Sequence, residues 1–481
     1  MTSDHNQANP FLPAEGDIAA GARVAGTAIT GEGHPLPNPA TGEALATVGW
    51  VGPEVVDDAV VAASTAADDW SRTSPRERAS ALRAIAQSLR DNAGALAEIV
   101  SAESGKRLAE AQGEVGFSAQ YFDWFAEAAT APRDEHFSNA QRRFVVQRQP
   151  VGVVAAVSPW NFPLSIPARK VAPALAAGCT VVQKPSELTP LSSLAFTELC
   201  EPHLPSGALG IIVGDGEKLT TALVDHADVA ALTFTGSTRV GSTVGARAIS
   251  SLTRVTLELG GRAPFIVCED SDPAQALEAL MIAKFRNNGA SCLAANSIFV
   301  HRNLYDQFVD ALRERVVALR TGDPASPSTD VGPMLRPQHV SRLQGLVESA
   351  KADGCHVSAG VAAPGWYIAP TLVEATSETA LWSEEVFGPV CVVRRYDDED
   401  AVVTEVNGWR TGLGGYITSD DAEHALQLAS RLRIGIVGIN NGAPNTPEVP
   451  FGGFGHAGIG REGGVSGMLE FTEEQTLSLA R

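Results

Sequence analysis

After Ser74, apolar residues fall on one helical face: Leu82, Ile85 and Leu89 recur at intervals of three and four. Ser74 and Glu77 have capping-box spacing and Pro75 suits a first turn, so a long helix is expected to start here. From Arg142 the period changes. Phe144, Val145 and Val146, then the apolar run 151–157, read as β-structure, and short apolar runs follow at 180–183, 209–213, 229–234 and 255–257. Helical stretches at 168–177 and 191–200 separate some of them. Short buried strands alternating with helices predict βαβ units and a parallel sheet. A second series begins near Pro264, with a strand at 265–268, a helix opened by Asp272 and Pro273, and strands around 298–301, 390–396 and 434–440. Two α/β domains are therefore expected, with their boundary near Gly260 and Gly261.

The bulk numbers agree with this division. A chain of 481 residues exceeds what one core usually organises. Its 44% hydrophobic content, 46 Gly and 29 Pro are those of an ordinary globular protein. A net charge of -20 opposes nucleic acid and anionic membranes as partners. Residues 1–10 lack both the basic start and the apolar run of a secretory signal, and no charge-free apolar segment reaches the ~18 residues of a spanning helix. A cytoplasmic location is expected. The six cysteines are scattered singly, without CxxC pairs or zinc-ligand spacing, so neither a disulfide framework nor a metal site is expected.

Four short segments carry candidate chemistry. Cys292 follows a helical stretch and sits among Asn287, Asn288, Gly289 and Ser291; by itself it reads first as a small buried hydrophobe and only second as a nucleophile. Asn161, between Pro159 and Pro163 after a buried strand, suits either an Asx turn or an oxyanion donor at the carboxyl edge of a parallel sheet. Glu258 ends an apolar strand before Gly260 and Gly261, as a structural ion-pair partner or a base. The turn from Thr235 to Gly241 lies between a strand and a helix, where its amides can face a pyrophosphate, although the full GxGxxG spacing is missing.

Taken in order, Pro159 to Pro163, Lys184 to Glu187, Phe234 to Gly241, Glu258 to Gly261, the Cys292 segment, Glu385 to Pro389 and Pro450 to Gly453 resemble the aldehyde dehydrogenases over nearly the whole chain. That resemblance implies an α/β fold of two Rossmann-like parallel-sheet domains plus a β oligomerisation arm. Residues 1–260 would bind NAD and include an arm segment at about 131–149; 261–445 would be catalytic; 446–481 would return to the cofactor domain and finish the arm. It further implies that Cys292 attacks the aldehyde, that Asn161 and the Cys292 amide hold the oxyanion, and that hydride leaves to the nicotinamide. Glu258 then activates the water that hydrolyses the thioester. By the same carry-over, Trp160, Asn161, Lys184, Ser186, Glu187, Gly236, Ser237, Leu259, Glu385 and Phe387 line the cofactor cleft. Glu187 favours NAD, and Lys184 and Ser186 leave NADP open.

Arg169 and Arg286 match the arginines that hold the substrate carboxylate in succinate-semialdehyde dehydrogenases, and guanidinium forks suit carboxylates. A small carboxylated semialdehyde is thus the expected substrate, with an uncharged or cationic aldehyde of the betaine-aldehyde type as the alternative. A cysteine thioesterase or acyl transferase, or a non-catalytic binding protein, is the rival of another class. Several positions depart from the family: Ala290 stands where Gln is common, Ser297 where a base is common, and the turn at 455–458 contains His456, to which no role is given. Ala294 occupies the place of a second cysteine found in some relatives, so no redox switch is expected. The β-like stretch 142–149 and the tail 470–479 resemble the family's strand-exchange arm, so a homodimer or homotetramer is expected.

Overall fold

The computed structural model describes residues 9–131, 134–376 and 378–480. Residues 1–8, which carry most of the reading of the amino terminus, and 132–133 in the expected arm lie outside them. The helix foreseen at Ser74 is α1 (Pro75–Asp91), and its capping box is complete: Ser74 Oγ accepts from the Glu77 amide, and the Glu77 carboxylate accepts from the Ser74 amide. Leu82, Ile85 and Leu89 are fully buried. The stripe packs against α2 (Leu108–Thr130) and α3 (Ser165–Ala177).

Strands β1 (Ala22–Val24) and β2 (Thr27–Ile29) open the first large sheet. The chain then makes β3 (Glu135–Ser138) and β4 (Arg142–Pro150) before entering the parallel series β5 (Val153–Val157), β6 (Thr180–Lys184), β7 (Leu209–Ile212), β8 (Val229–Thr235) and β9 (Arg254–Glu258). Every residue of β5, β6 and β7 is buried. Helices cover both faces, which is why these strands read as continuous apolar runs instead of alternations.

The second sheet collects β10 (Ala263–Val267), β11 (Ala295–His301), β12 (His356–Ala359), β13 (Thr371–Glu374), β14 (Val390–Tyr396), β15 (Gly414–Thr418) and β16 (Ile436–Ile439). Its order is β12-β13-β14-β11-β10-β15-β16, parallel except for β12. The chain returns to the first sheet as β17 (Gly458–Ile459), giving the order β17-β9-β8-β5-β6-β7-β1-β2. Both sheets are of the parallel α/β kind expected. The observed strands start and stop within a few residues of the apolar runs, the usual uncertainty of an element boundary.

Between β9 and β10 the backbone passes through Gly260 and Gly261. The first sheet thereby turns its carboxyl edge, and the second its amino edge, toward one cleft. Finally, β18 (Thr472–Ala480) pairs antiparallel with β4 over nine residues, from Thr472 opposite Pro150 to Ala480 opposite Arg142, while β3 covers the other side of β4. After Thr472 every residue of β18 is exposed, and its outer edge is unpaired among the described residues. Among the described residues no helix is long and apolar enough to cross a membrane.

Candidate active site

The loop that presents Cys292 is shaped by amide side chains. Helix α5 (Pro273–Phe285) starts at Asp272, whose carboxylate accepts from the amides of Ala274 and Gln275. Just past its end, Asn287, Asn288 and Gly289 take φ of +55°, +57° and +71°. Asparagine tolerates this left-handed region when its side chain bonds locally. Asn287 Nδ2 donates to the carbonyls of Asn161 and Ala290, both at 2.9 Å, and Asn288 Oδ1 accepts from the Gly332 amide at 2.7 Å. At Gly289 a Cβ would strike the backbone of Gly388. The result is a tight reversal that holds Cys292 partly exposed, whereas the other five cysteines are buried.

Three connected chambers run along the cleft. The inner one, about 290 Å³, is lined by Cys292, Arg169, Arg286, Phe117, Phe162 and Phe451 among others. The middle one, about 230 Å³, gathers Trp160, Asn161, Gly236, Ser237, Glu258, Leu259, Glu385 and Phe387 around the other side of Cys292. An outer cleft of about 540 Å³ adds Lys184, Ser186 and Glu187. Cys292, Ile166 and Phe451 border both the inner and middle chambers. All the residues singled out by motif therefore lie along one continuous path, with the thiol at the junction.

Register explains how the first sheet positions its share. Val157 lies beside Lys184 and Phe234, and Thr235 beside Glu258, so the ends of four parallel strands form one rim. Asn161 follows β5 by four residues, and its Nδ2 donates to the Ala290 carbonyl at 3.2 Å, which aims the amide at the nucleophile loop. Glu258 is 2% exposed, and among the described residues neither carboxylate oxygen has a hydrogen-bond partner. Burial, then the neighbouring Glu462 carboxylate, push its pKa well above the usual range, against the pull of Arg169 and Lys170. A carboxyl so placed can take up and release a proton above the ordinary carboxylate range. Burial likewise pushes the Cys292 thiol up to about 12, with Arg169 the largest opposing influence.

The two expected arginines share the inner chamber but differ in freedom. Arg169 Nε donates to Glu462 at 2.6 Å, and its guanidinium stacks 3.9 Å over the Phe451 ring; its buried Nη2 has no hydrogen-bond partner among the described residues. Arg286, partly exposed, makes no hydrogen bond or ion pair among the described residues. Motif reading overlooked the network behind them. Glu462 also accepts from Lys170 Nζ at 2.5 Å and from Thr233 Oγ1 at 2.9 Å, and although burial opposes ionisation, Lys170 and Arg169 hold its pKa below the ordinary value. Some 292 positions separate Lys170 from Glu462, so no local spacing announces the pair. Of the family departures, Ala290 serves through its carbonyl, and Ser297 is buried within β11 with its hydroxyl on the Trp382 carbonyl at 3.4 Å. His456 lies in an exposed turn, its amide on the Arg410 carbonyl.

The outer and middle chambers fit a dinucleotide. Helix α4 (Thr238–Ser250) starts at the rim with Ser237 as its cap, Oγ accepting from the Val240 amide, so its positive end faces the cleft. Thr235 Oγ1 is buried there without a partner. Lys184 Nζ donates to Glu187 Oε2 at 3.1 Å, leaving one Glu187 oxygen for a ribose hydroxyl. Glu385, raised to about 7 by burial against the pull of the Gly261 amide, and Phe387, held at φ +53° with its ring edge-on to Trp160 at 5.4 Å, close the far wall.

Paired α/β sheets sharing one long cleft, with a partly exposed thiol at its inner end and a buried carboxyl across from it, fit a dinucleotide-dependent oxidoreductase. The aldehyde dehydrogenase family matches residues 28–477, and the chain belongs to that family of NAD(P)-dependent enzymes. It is 38% identical to the mitochondrial succinate-semialdehyde dehydrogenase of Arabidopsis thaliana over 91% of this chain and 84% of that one. It is 37% identical to the 3-sulfolactaldehyde dehydrogenase of Pseudomonas putida over 93% of each. The crystal structure of succinate-semialdehyde dehydrogenase from Burkholderia pseudomallei superposes with a TM-score of 0.94 at 35% identity, covering 98% of both chains.

Proposed function

We propose that this enzyme oxidises a small aldehyde bearing a distal anionic group, a carboxylated semialdehyde such as succinate semialdehyde, to the acid. The observation that carries the reading is the unpaired Arg286, in the same chamber as Cys292 and the free Nη2 of Arg169. A guanidinium that faces the chamber without a partner can take a carboxylate in charge-assisted hydrogen bonds. The relatives support the choice, since succinate semialdehyde and sulfolactaldehyde both pair an aldehyde with a remote anion.

In this scheme Cys292 Sγ adds to the carbonyl carbon, and Asn161 Nδ2 with the Cys292 amide holds the developing oxyanion. A nicotinamide, when bound in the middle chamber, supplies the hydride acceptor. Glu258 takes a proton from the water that attacks the thioester, and the acid leaves through the inner chamber. Lys184, Ser186, Glu187, Gly236 and Ser237 hold the cofactor's outer half, Trp160, Leu259, Glu385 and Phe387 its inner half, with NAD preferred because Glu187 opposes a 2′-phosphate. Residues 1–260 with 446–481 form the cofactor unit and arm, and 261–445 the catalytic unit. The unpaired edge of β18 supports a homodimer or homotetramer joined through the arm, and we place it in the cytoplasm.

The deciding experiment compares kcat/KM for succinate semialdehyde, betaine aldehyde and a neutral aliphatic aldehyde, before and after Arg286→Ala. Losing a charge-assisted hydrogen bond is worth about 1.5–3 kcal/mol, so a drop of roughly 10- to 100-fold confined to the carboxylated substrate is expected. Equal losses on all three, or a preference for the cationic aldehyde, would overturn the reading.

A further inference from the structure

Away from the cleft, three side chains of different chemistry converge on the opposite edge of the second sheet. Cys268 follows β10 directly, and its amide donates to the Thr418 carbonyl at the end of β15. Glu399 opens α6 (Glu399–Gly408), which follows β14, and His424 lies in the first turn of α7 (Ala422–Arg431), which follows β15. One sulfur, one carboxylate oxygen and one imidazole nitrogen lie within 4.8 Å of one another. Ligand atoms around a tetrahedral zinc lie roughly 3.3–3.8 Å apart, as bond lengths of ~2.0–2.3 Å require, so small rotations suffice.

The position in the fold independently favours a ligand. From β10 the chain runs to β11 on one side, and from β15 to β16 on the other. Such a divergence leaves a crevice outside the carboxyl ends of the two strands, the place where open α/β sheets bind ligands. The residues of the proposed reaction stand at the amino edge, so this switch point is not taken up by them. The imidazole is also oriented. His424 Nε2 faces Glu399 Oε2 at 3.0 Å, while Nδ1 faces Ser419 Oγ at 3.5 Å and Asp270 Oδ1 at 3.9 Å. Asp270 is itself held by Ser419 Oγ at 2.7 Å and the Asp421 amide at 3.0 Å. A carboxylate behind the imidazole of a metal ligand is the usual device that fixes its tautomer. Cys268 is buried, whereas Glu399 and His424 are partly exposed and leave a way in.

We propose that this crevice binds one zinc-class divalent cation through Cys268 Sγ, a Glu399 oxygen and His424 Nε2, with Asp270 as the outer partner of the imidazole. Binding replaces the thiol proton of Cys268 by the metal and inserts the ion into the His424–Glu399 contact; water completes the tetrahedron. The three ligands are 131 and 25 positions apart, so sequence spacing hides them.

The test titrates cobalt(II), then zinc, into the chelator-stripped full-length protein in a Cys292→Ala background, so that the active-site thiol contributes nothing. One equivalent should bind with a thiolate-to-cobalt absorption band that zinc abolishes. Cys268→Ser should remove the band, and Asp270→Asn should weaken binding roughly 10- to 100-fold. No uptake by the parent protein, or a band that persists in Cys268→Ser, overturns the assignment. Should Cys268→Ser not fold, His424→Gln at its partly exposed position decides, and an unchanged affinity there overturns it equally.

Discussion

The two sheets meet at one cleft but offer it opposite edges. The first presents strand carboxyl ends and the start of α4, where unpaired amides and the positive end of the helix favour anions. The second presents strand amino ends and the finish of α5, a local environment of the opposite sign. An anionic cofactor is therefore favoured on the first, and in the proposed scheme the neutral thiol that becomes the nucleophile stands on the second. A helix start beside Cys292 would lower its pKa; past the end of α5, desolvation by the surrounding protein instead raises the thiol to about 12. The difference separates binding from bond-making along a single path.

Breaking the reactive side should cost most. Cys292→Ala should lower aldehyde oxidation by roughly six orders of magnitude, while NAD binding, followed by fluorescence quenching, stays within twofold of the parent. Residual oxidation near the parental rate would end the covalent scheme. Glu258→Gln should slow steady-state turnover by about 10²–10⁴-fold yet keep a rapid burst of one NADH per site, because acylation precedes the hydrolysis it serves. In the intact enzyme Glu258 acts as a base only when ionised. Its raised pKa thus predicts that kcat falls on acidification at a pH above the ordinary carboxylate range, and a limb near 4 would contradict the burial argument.

Smaller perturbations sharpen the same contrast. With the thiol raised to about 12, iodoacetamide should label Cys292 of the ligand-free protein roughly tenfold faster per pH unit from 7 to 10. A rate already flat at pH 7 would mean that a thiolate is stored at rest. At the far edge of the second sheet, Asp421 caps α7 by accepting from the amides of Glu423 and His424. Asp421→Ala should lower stability by about 1 kcal/mol in denaturant titration and leave kcat unchanged. A matching loss of turnover would show that the two edges are coupled.

Much of this was readable in the chain. The capping box at Ser74, the fully buried runs of β5 to β7 and the sulfur, amide and carboxyl residues of the cleft all announce themselves within a few neighbouring positions. What escaped was long-range. Glu462 meets Lys170 and Arg169 only because β17 returns to the first sheet and brings the following segment under α3, and nothing in Gly460 to Gly464 advertises a buried acid. The inequality of Arg169 and Arg286 was hidden for the same reason: both fit a carboxylate by type, and only the folded chain shows that one already has a counterion. The burial of Ser297 within β11 likewise depends on which neighbours the sheet provides.

The junction at Cys292 also has a bearing on traffic. The inner and middle chambers reach the sulfur from opposite sides and, among the described residues, share only Ile166, Phe451 and the cysteine itself. A departing acid and a departing dinucleotide then have separate doors, so neither need wait for the other to clear the way. Inhibition by the acid product should accordingly be noncompetitive toward NAD, and a molecule designed to plug the inner door would arrest the enzyme with its cofactor still free to come and go.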